Sequence, residues 1–345
     1  MRALVTQPGQ AHTTRVEDVP TVKPREGEVL VRTLEVGVCG TDREISEGLF
    51  GAPPEHESLL VLGHESLAVV ERDGYGFTQG QLVTATVRRS CGHCLACAEE
   101  SPDSCLSGDY SERGITRLDG YARELVAEDP EQLVAIPKSL GRLGVLAEPT
   151  SICERALRHA RTIGGRQPWQ LERALVIGAG AIGLLTTYLL RLADVEVTTA
   201  SLEPANELVE QSGAHYVSTQ DTKLSALGKF DLVVEAAGNA QLMAQTLGLL
   251  RRSGIACLLG IDPRKPTVEL DGPVLGVDTI LENRVLFGSV NARREDWLAA
   301  VADLEKARQR WPEALEQFVT LRVPLDRFAE AFEHRAGKAT LILSD

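Results

Sequence analysis

Aromatic side chains are scarce in this 345-residue chain, at 4% of the total. Any core must therefore be aliphatic, built from Val, Leu, Ile and Ala. Positive charge is also short: 36 Lys and Arg face 49 Asp and Glu, a formal net charge of −13. Nucleic acids and anionic membranes bind basic patches, so neither fits as a partner. No stretch reaches the roughly 18 apolar residues of a membrane span. The N-terminal Met1-Arg2-Ala3-Leu4-Val5 turns polar at once. It lacks the apolar core of a signal peptide, which points to the cytoplasm. In that compartment the seven cysteines read as thiols or metal ligands before disulfides. No internal repeat is present. A chain of this length with 43% hydrophobic residues suits a globular protein of two domains.

The strongest local pattern is Cys91-Gly-His-Cys94-Leu-Ala-Cys97, followed after seven residues by Cys105. Four thiolates close a tetrahedral zinc shell with no open position, which makes the site structural. His93 is then not needed as a ligand.

Residues 173–192 carry a second pattern. An apolar strand, Arg173-Ala-Leu-Val-Ile, runs into Gly178-Ala-Gly180-Ala-Ile-Gly183 and on into the helical Leu184-Leu-Thr-Thr-Tyr-Leu-Leu. Strand, GxGxxG and helix in that order form a dinucleotide-binding unit. The glycines serve a tight turn, close approach to the pyrophosphate, and helix-on-strand packing. Further apolar strands follow near 195–200, 215–217, 231–236, 255–260 and 285–290, with helical connections at 205–212, 239–250 and 278–283. The alternation predicts an α/β, doubly wound parallel sheet. The first 150 residues are β-rich and punctuated by Gly and Pro, and the C-terminal tail shares that texture. We therefore expect a mostly-β domain from 1–156 and 291–345, with the nucleotide domain inserted at 157–290. Within the tail, an exposed helix is expected over 293–308 and another over 311–318.

Gly37-Val-Cys39-Gly-Thr41-Asp42 and Leu62-Gly63-His64-Glu65 bring together ligand types that zinc prefers. Each alone reads more readily as a buried Cys and an unrelated polar turn. Glu148-Pro149 opens a helix whose apolar residues Ile152, Ala156, Leu157, Ala160 and Ile163 have helical spacing.

Taken in order, these four motifs resemble the zinc-containing medium-chain dehydrogenases over nearly the whole chain. Cys39-Gly-Thr-Asp-Arg-Glu-Ile45, Glu112-Arg-Gly-Ile115, Glu148-Pro149 and Gly288-Ser-Val-Asn291 resemble their glucose dehydrogenase branch. The resemblance implies a GroES-like catalytic domain and a Rossmann domain, with the active site in the cleft between them. It implies a catalytic zinc at Cys39, His64 and Glu65, with Glu148 at or beside the metal, and a structural zinc at Cys91, Cys94, Cys97 and Cys105. Glu112 and Asn291 would bond sugar hydroxyls and Glu154 would form a polar wall. The cofactor would contact Gly178, Gly180, Ala181, Ile182, Gly183, Ser201, Ala237, Gly238 and Asn291. Such proteins are commonly homodimers or homotetramers.

The activity so implied is oxidation of an aldose, D-glucose at C1, to the lactone with hydride transfer to NAD(P). Another sugar, polyol or alcohol dehydrogenase of the sorbitol or threonine type is the alternative, and a non-catalytic NAD(P)H-binding sensor is the reading from another class. Zinc with an open position lowers the pKa of a substrate hydroxyl. Hydride then passes from the adjacent carbon to C4 of the nicotinamide. Thr41 could relay the hydroxyl proton. Asp42 could fix the His64 tautomer as well as cap a helix. Zn²⁺ with the Cys39 thiolate, neutral His64 and one carboxylate is neutral, so Glu65 and Glu148 should not both bind throughout turnover.

Two departures stand out. Arg43-Glu44 occupies the neighbourhood where simple alcohol dehydrogenases of the family often carry a relay His. The second strand ends Thr199-Ala200-Ser201-Leu202-Glu203, with no acid at Ala200 where NAD enzymes place one. Ser201 could donate to a 2′-phosphate, whereas Glu203 would repel one if it pointed inward. The balance leans to NADP or dual use.

Overall fold

Residues 1–344 are described by a computed structural model and divide into two compact units. The first contains residues 1–151, 291–305 and the chain from Val319 onward. Its centre is the strand Val29–Val38, where Val29, Val31 and Thr33 are buried and the residues between them half-buried. That alternation is the period-2 signature of a strand with one packed face. Glu65–Val70 pairs antiparallel on one side and Lys338–Ile342 on the other. Leu125–Glu128 also pairs with the central strand, and Val319–Pro324 lies parallel to Lys338–Ile342. The core here is aliphatic, with Val31, Val36, Ala68, Val83 and Val126 at its heart, as the shortage of aromatics requires.

Two of the acids buried in this unit are held by clusters of donors. Glu35 is fully buried and accepts from Arg322 Nε at 3.0 Å, Arg142 Nη1 at 3.3 Å and the Thr340 hydroxyl. Glu128 accepts from Arg113 Nε at 2.5 Å and the Tyr121 hydroxyl at 2.7 Å, and lies 2.8 Å from Arg89 Nη2. A buried carboxylate without such partners would carry a desolvation penalty of several kcal/mol.

The second unit, residues 152–290 and 306–318, is a six-stranded parallel sheet. Its spatial order is His215–Ser218, Glu196–Ser201, Arg173–Ile177, Phe230–Glu235, Leu250–Leu258, Val285–Gly288. This is the doubly wound arrangement expected from the β/α alternation. Two local expectations fail. Residues 306–318, expected with the mostly-β domain, pack in this unit because Trp311 and Phe318 sit edge-on to Tyr188, with ring centroids 5.0 and 4.9 Å away. The helix Arg294–Arg310 is amphipathic rather than exposed, burying Trp297, Ala300, Leu304 and Ala307. Among the described residues, no helix is long and apolar enough to cross a membrane.

Burial alone would raise the Glu128 carboxyl, but Arg113 and Arg89 hold it below its ordinary value of 4.5. Its contribution to stability is therefore present above pH 4.5 and lost as pH falls through the lower folded value. Glu128→Gln should destabilise the protein by about 3–5 kcal/mol at neutral pH, the range for breaking a buried ion pair. Urea unfolding across pH should show that deficit shrinking below pH 4.5.

Candidate active site

Around Cys91 the backbone wraps back on itself. Sulfur–sulfur distances are 3.5 Å for Cys94–Cys97 and Cys91–Cys105, 3.8 Å for Cys91–Cys97 and 3.9 Å for Cys94–Cys105. Zn–S bonds of about 2.3 Å at tetrahedral angles place sulfurs ~3.8 Å apart, so the four thiols fit zinc. The N–H groups of Cys94 and Leu106 donate to the sulfurs of Cys91 and Cys94 at 3.4 Å. The His93 ring faces the Cys91 carbonyl at 2.8 Å rather than the thiols.

The second cluster is built on the central strand and its neighbours. Val29–Val38 ends just before Cys39, which caps the helix Gly40–Ser46. The Cys39 N–H donates to Asp42 Oδ2 at 2.9 Å, so Asp42 reaches back to the cap residue and closes a capping box. Its other oxygen, Oδ1, faces His64 Nδ1 at 3.6 Å, too far for a hydrogen bond. The opposite ring nitrogen, Nε2, lies 3.1 Å from Cys39 Sγ. Cys39, His64 and Glu65 offer ligand atoms all within 4.8 Å of one another. Burial disfavours charge on His64, yet Cys39 and Asp42 hold its pKa well above the ordinary value. Burial also pushes the Cys39 thiol up, against the pull of His64. A thiol, an imidazole and a carboxylate converging in one site are a donor set for zinc.

Glu65 already has a cation. Lys338 Nζ donates to both of its carboxylate oxygens at 2.6 Å, and both side chains are buried. Gly37 makes room for this pair, since a Cβ there would lie 2.0 Å from Glu65 Oε2. Glu148, in the first turn of the helix Ala147–Gly164, is buried and not part of the three-residue cluster. Burial, with Glu65 nearby, raises its carboxyl to about 7. Sequence reasoning missed Lys338. Its signal was a lone ionisable residue opening the apolar run Lys338-Ala-Thr-Leu-Ile, a placement that calls for a buried carboxylate partner.

The remaining candidates are placed as follows. Thr41 is half-buried in the first turn beside Asp42. Glu112 is paired with Arg88, whose Nε and Nη2 lie 3.0 and 2.9 Å from Oε1. Glu154 is buried on the helix Ala147–Gly164. Asn291 has a left-handed backbone, φ 69°. Its Oδ1 accepts from the Ala292 N–H at 2.8 Å, while its buried Nδ2 has no partner. An orphaned buried donor on a strained backbone fits a ligand-contacting residue.

The glycine motif forms a cradle suited to a dinucleotide. Gly178 has φ 105°, and a Cβ on Gly183 would lie 1.9 Å from the Gly178 carbonyl. Gly180 caps the helix Ala181–Leu192 and has open space above it. Turn, close packing and open approach are the three glycine roles that pyrophosphate binding needs. Ala181 and Ile182 begin that helix. Ala237 and Gly238 form the turn after Phe230–Glu235. There Glu235 Oε1 accepts from the N–H groups of Ala237 and Asn239 at 3.0 and 3.3 Å. Ser201 ends the strand Glu196–Ser201, and its hydroxyl donates to Glu203 Oε2 at 2.5 Å.

These geometries make two tests direct. Cys94→Ser should lower bound zinc by about one ion per chain and lower the melting temperature, since a four-thiolate site contributes folding energy; metal analysis and calorimetry read both. Lys338→Met should destabilise by about 3–5 kcal/mol by leaving Glu65 buried and unpaired. Lys338→Met with Glu65→Gln should recover most of that loss in denaturant titration.

Comparison with known proteins matches both units. Residues 25–138 match the alcohol dehydrogenase GroES-like domain, and residues 141–343 match the glucose dehydrogenase C-terminus. Glucose 1-dehydrogenase of Methanocella arvoryzae is 39% identical over 345 residues, covering 96% of each chain. Glucose 1-dehydrogenase of Thermoproteus tenax is 40% identical over 341 residues, again covering 96% of each. Among solved structures, Haloferax mediterranei glucose dehydrogenase in complex with NADP, Zn and gluconolactone superposes with a TM-score of 0.91. It is 33% identical and covers the whole of both chains. By sequence, site chemistry and fold together, this chain belongs to the zinc-containing medium-chain dehydrogenases, in their glucose dehydrogenase branch.

Proposed function

We propose that this protein is a zinc-dependent oxidoreductase that oxidises an aldose, D-glucose at C1, to the lactone, using NADP or NAD. The observation that carries the reading is the cluster of Cys39, His64 and Glu65, with Lys338 on Glu65 and a second buried carboxyl, Glu148, nearby. The relatives named above are glucose 1-dehydrogenases, and gluconolactone, bound in the Haloferax structure, is the product of C1 oxidation.

Zinc bound there supplies the Lewis acidity that makes a sugar hydroxyl acidic near neutral pH, and the dinucleotide supplies the hydride acceptor. The chain's own groups set the charge. Lys338 cancels Glu65, so the Cys39 thiolate and the Glu148 carboxylate balance the divalent ion while His64 stays neutral. We assign Glu148 as the liganding carboxylate on this ground and Glu65 as the carboxylate held back. Asp42 fixes the Cys39 N–H and sets a negative charge 3.6 Å from His64 Nδ1. Thr41 passes the hydroxyl proton outward. Asn291 Nδ2 donates to a sugar hydroxyl or to the cofactor, the partner its buried amide lacks. Glu112 is held by Arg88 and accepts from a sugar hydroxyl with its remaining lone pairs; Glu154 supplies a polar wall. Several fixed polar groups of this kind favour a polyhydroxylated substrate over an apolar alcohol. A four-thiolate zinc lobe suits a reducing compartment, hence the cytoplasm.

The reading includes a homo-oligomer. Val285–Gly288 is an edge of the parallel sheet, and Leu286, Val290, Ile280, Leu281, Val277 and Leu275 are exposed around it. An apolar edge strand with unpaired backbone groups pairs readily with its own copy about a two-fold axis.

A panel of aldoses, polyols and simple alcohols assayed with each dinucleotide tests the activity. D-glucose should be the preferred substrate, and turnover of polyols or alcohols but no aldose would overturn the assignment. Cys39→Ala should lower kcat about a thousandfold or more, since metal-ion polarisation is worth several kcal/mol. Leu286→Lys with Ile280→Lys should shift the protein to monomer in light scattering without altering its circular dichroism.

A further inference from the structure

The two-residue step that ends the second strand of the parallel sheet bears on cofactor choice. Gly178 donates its N–H to the Ala200 carbonyl at 2.8 Å. The first glycine of the cradle is therefore level with Ala200, and Ser201 stands one residue beyond it. In this fold, the end of that strand is where a carboxylate binds the ribose 2′-OH of NAD, or a basic side chain accommodates the 2′-phosphate of NADP.

The turn that follows is tied down from the next strand. The Thr219 N–H and hydroxyl donate to the Ser201 carbonyl at 2.7 and 3.1 Å. The Tyr216 hydroxyl donates to the Glu203 carbonyl at 2.6 Å. Within that fixed turn the Glu203 carboxylate folds back onto the strand end and accepts from the Ser201 hydroxyl at 2.5 Å. Glu203 also stands about twenty residues past Gly183, the distance at which this fingerprint carries its acid. From sequence alone Ser201 and Glu203 pulled in opposite directions. The hydrogen bond between them occupies the Ser201 proton and holds the exposed carboxylate at the strand end.

Neither chain segment at this corner supplies a cation. The turn Ser201-Leu-Glu-Pro-Ala-Asn206 contains no Lys or Arg. The neighbouring segment Ser218-Thr-Gln-Asp-Thr222 adds Asp221 and reaches its first base only at Lys223. A 2′-phosphate placed here would meet a carboxylate with its hydroxyl donor already taken. A 2′-hydroxyl would instead find an acceptor.

We propose that Glu203, held by Ser201, is the specificity-determining residue that makes this chain bind NAD in preference to NADP. The proposal rests on the reading that a nicotinamide dinucleotide occupies the Gly178–Gly183 cradle. It is tested by titrating the zinc-loaded protein with NADH and with NADPH, following nicotinamide fluorescence with no sugar present.

NADH should bind about tenfold tighter or more, since like-charge contact costs several kcal/mol and each 1.4 kcal/mol is tenfold. Glu203→Gln should narrow the ratio, chiefly by tightening NADPH, and adding Leu202→Arg should narrow it further. Circular dichroism checks that both variants are folded. NADPH binding as tightly as NADH, or a ratio unchanged in Glu203→Gln, overturns the proposal. Sugar turnover with a preference for NADP would remove this inference and leave the proposed activity standing. Binding of neither dinucleotide would remove both.

Discussion

The buried pair of Lys338 and Glu65 is the constraint around which the metal-site unit is arranged. Its two side chains lie out of water, with the ammonium 2.6 Å from both carboxylate oxygens. Neither charge is tolerable there without the other. The pair joins chain segments more than 270 residues apart, so the C-terminal strand must lie against Val29–Val38 for it to form. Gly37 is glycine because the Glu65 carboxylate fills the place of its side chain. Cys39 follows two residues later, at the start of the helix Gly40–Ser46. The pairing also neutralises one of the two buried carboxyls near Cys39 and His64. Among the described residues Glu148 has no such partner at hydrogen-bond distance, and burial raises its carboxyl to about 7 against the opposing pull of His64.

Elsewhere the molecule handles charge in the same way. Glu35, Glu128 and Glu65 are all buried acids in one mostly-β unit, and each is met by Arg or Lys. The aliphatic core supplies apolar area but few polar handles, so these ion pairs fix where strands and loops meet. In the nucleotide-binding unit, backbone does the equivalent work. Gly178 and Gly183 allow strand and helix to approach within carbonyl contact, and Glu235 ties down the Ala237–Gly238 turn.

Much of this was legible in the chain. The four-cysteine lobe and the GxGxxG unit are local motifs, in which a few neighbouring residues state both the geometry and its purpose. The β/α alternation likewise predicted the parallel sheet, because hydrophobic period reports local environment. The errors fell where packing at a distance decides. Trp311 and Phe318 sit with Tyr188 rather than with the flanking tail, and nothing local records that choice. The helix Arg294–Arg310 reads as charged, yet it buries a full apolar stripe.

The sequence by itself determined the ligand types, the thiol lobe, the glycine cradle and the family, because each is written in residues close along the chain. Only the tertiary structure decided which buried carboxylate Lys338 neutralises, and that the Ser201 hydroxyl bonds the Glu203 carboxylate. Those outcomes turn on distances of a few ångströms between groups whose separation in sequence, or whose rotamers, no local pattern encodes. Coulombic attraction and desolvation act through space, so Lys338 could be seen as essential to Glu65 only once the fold had brought them together.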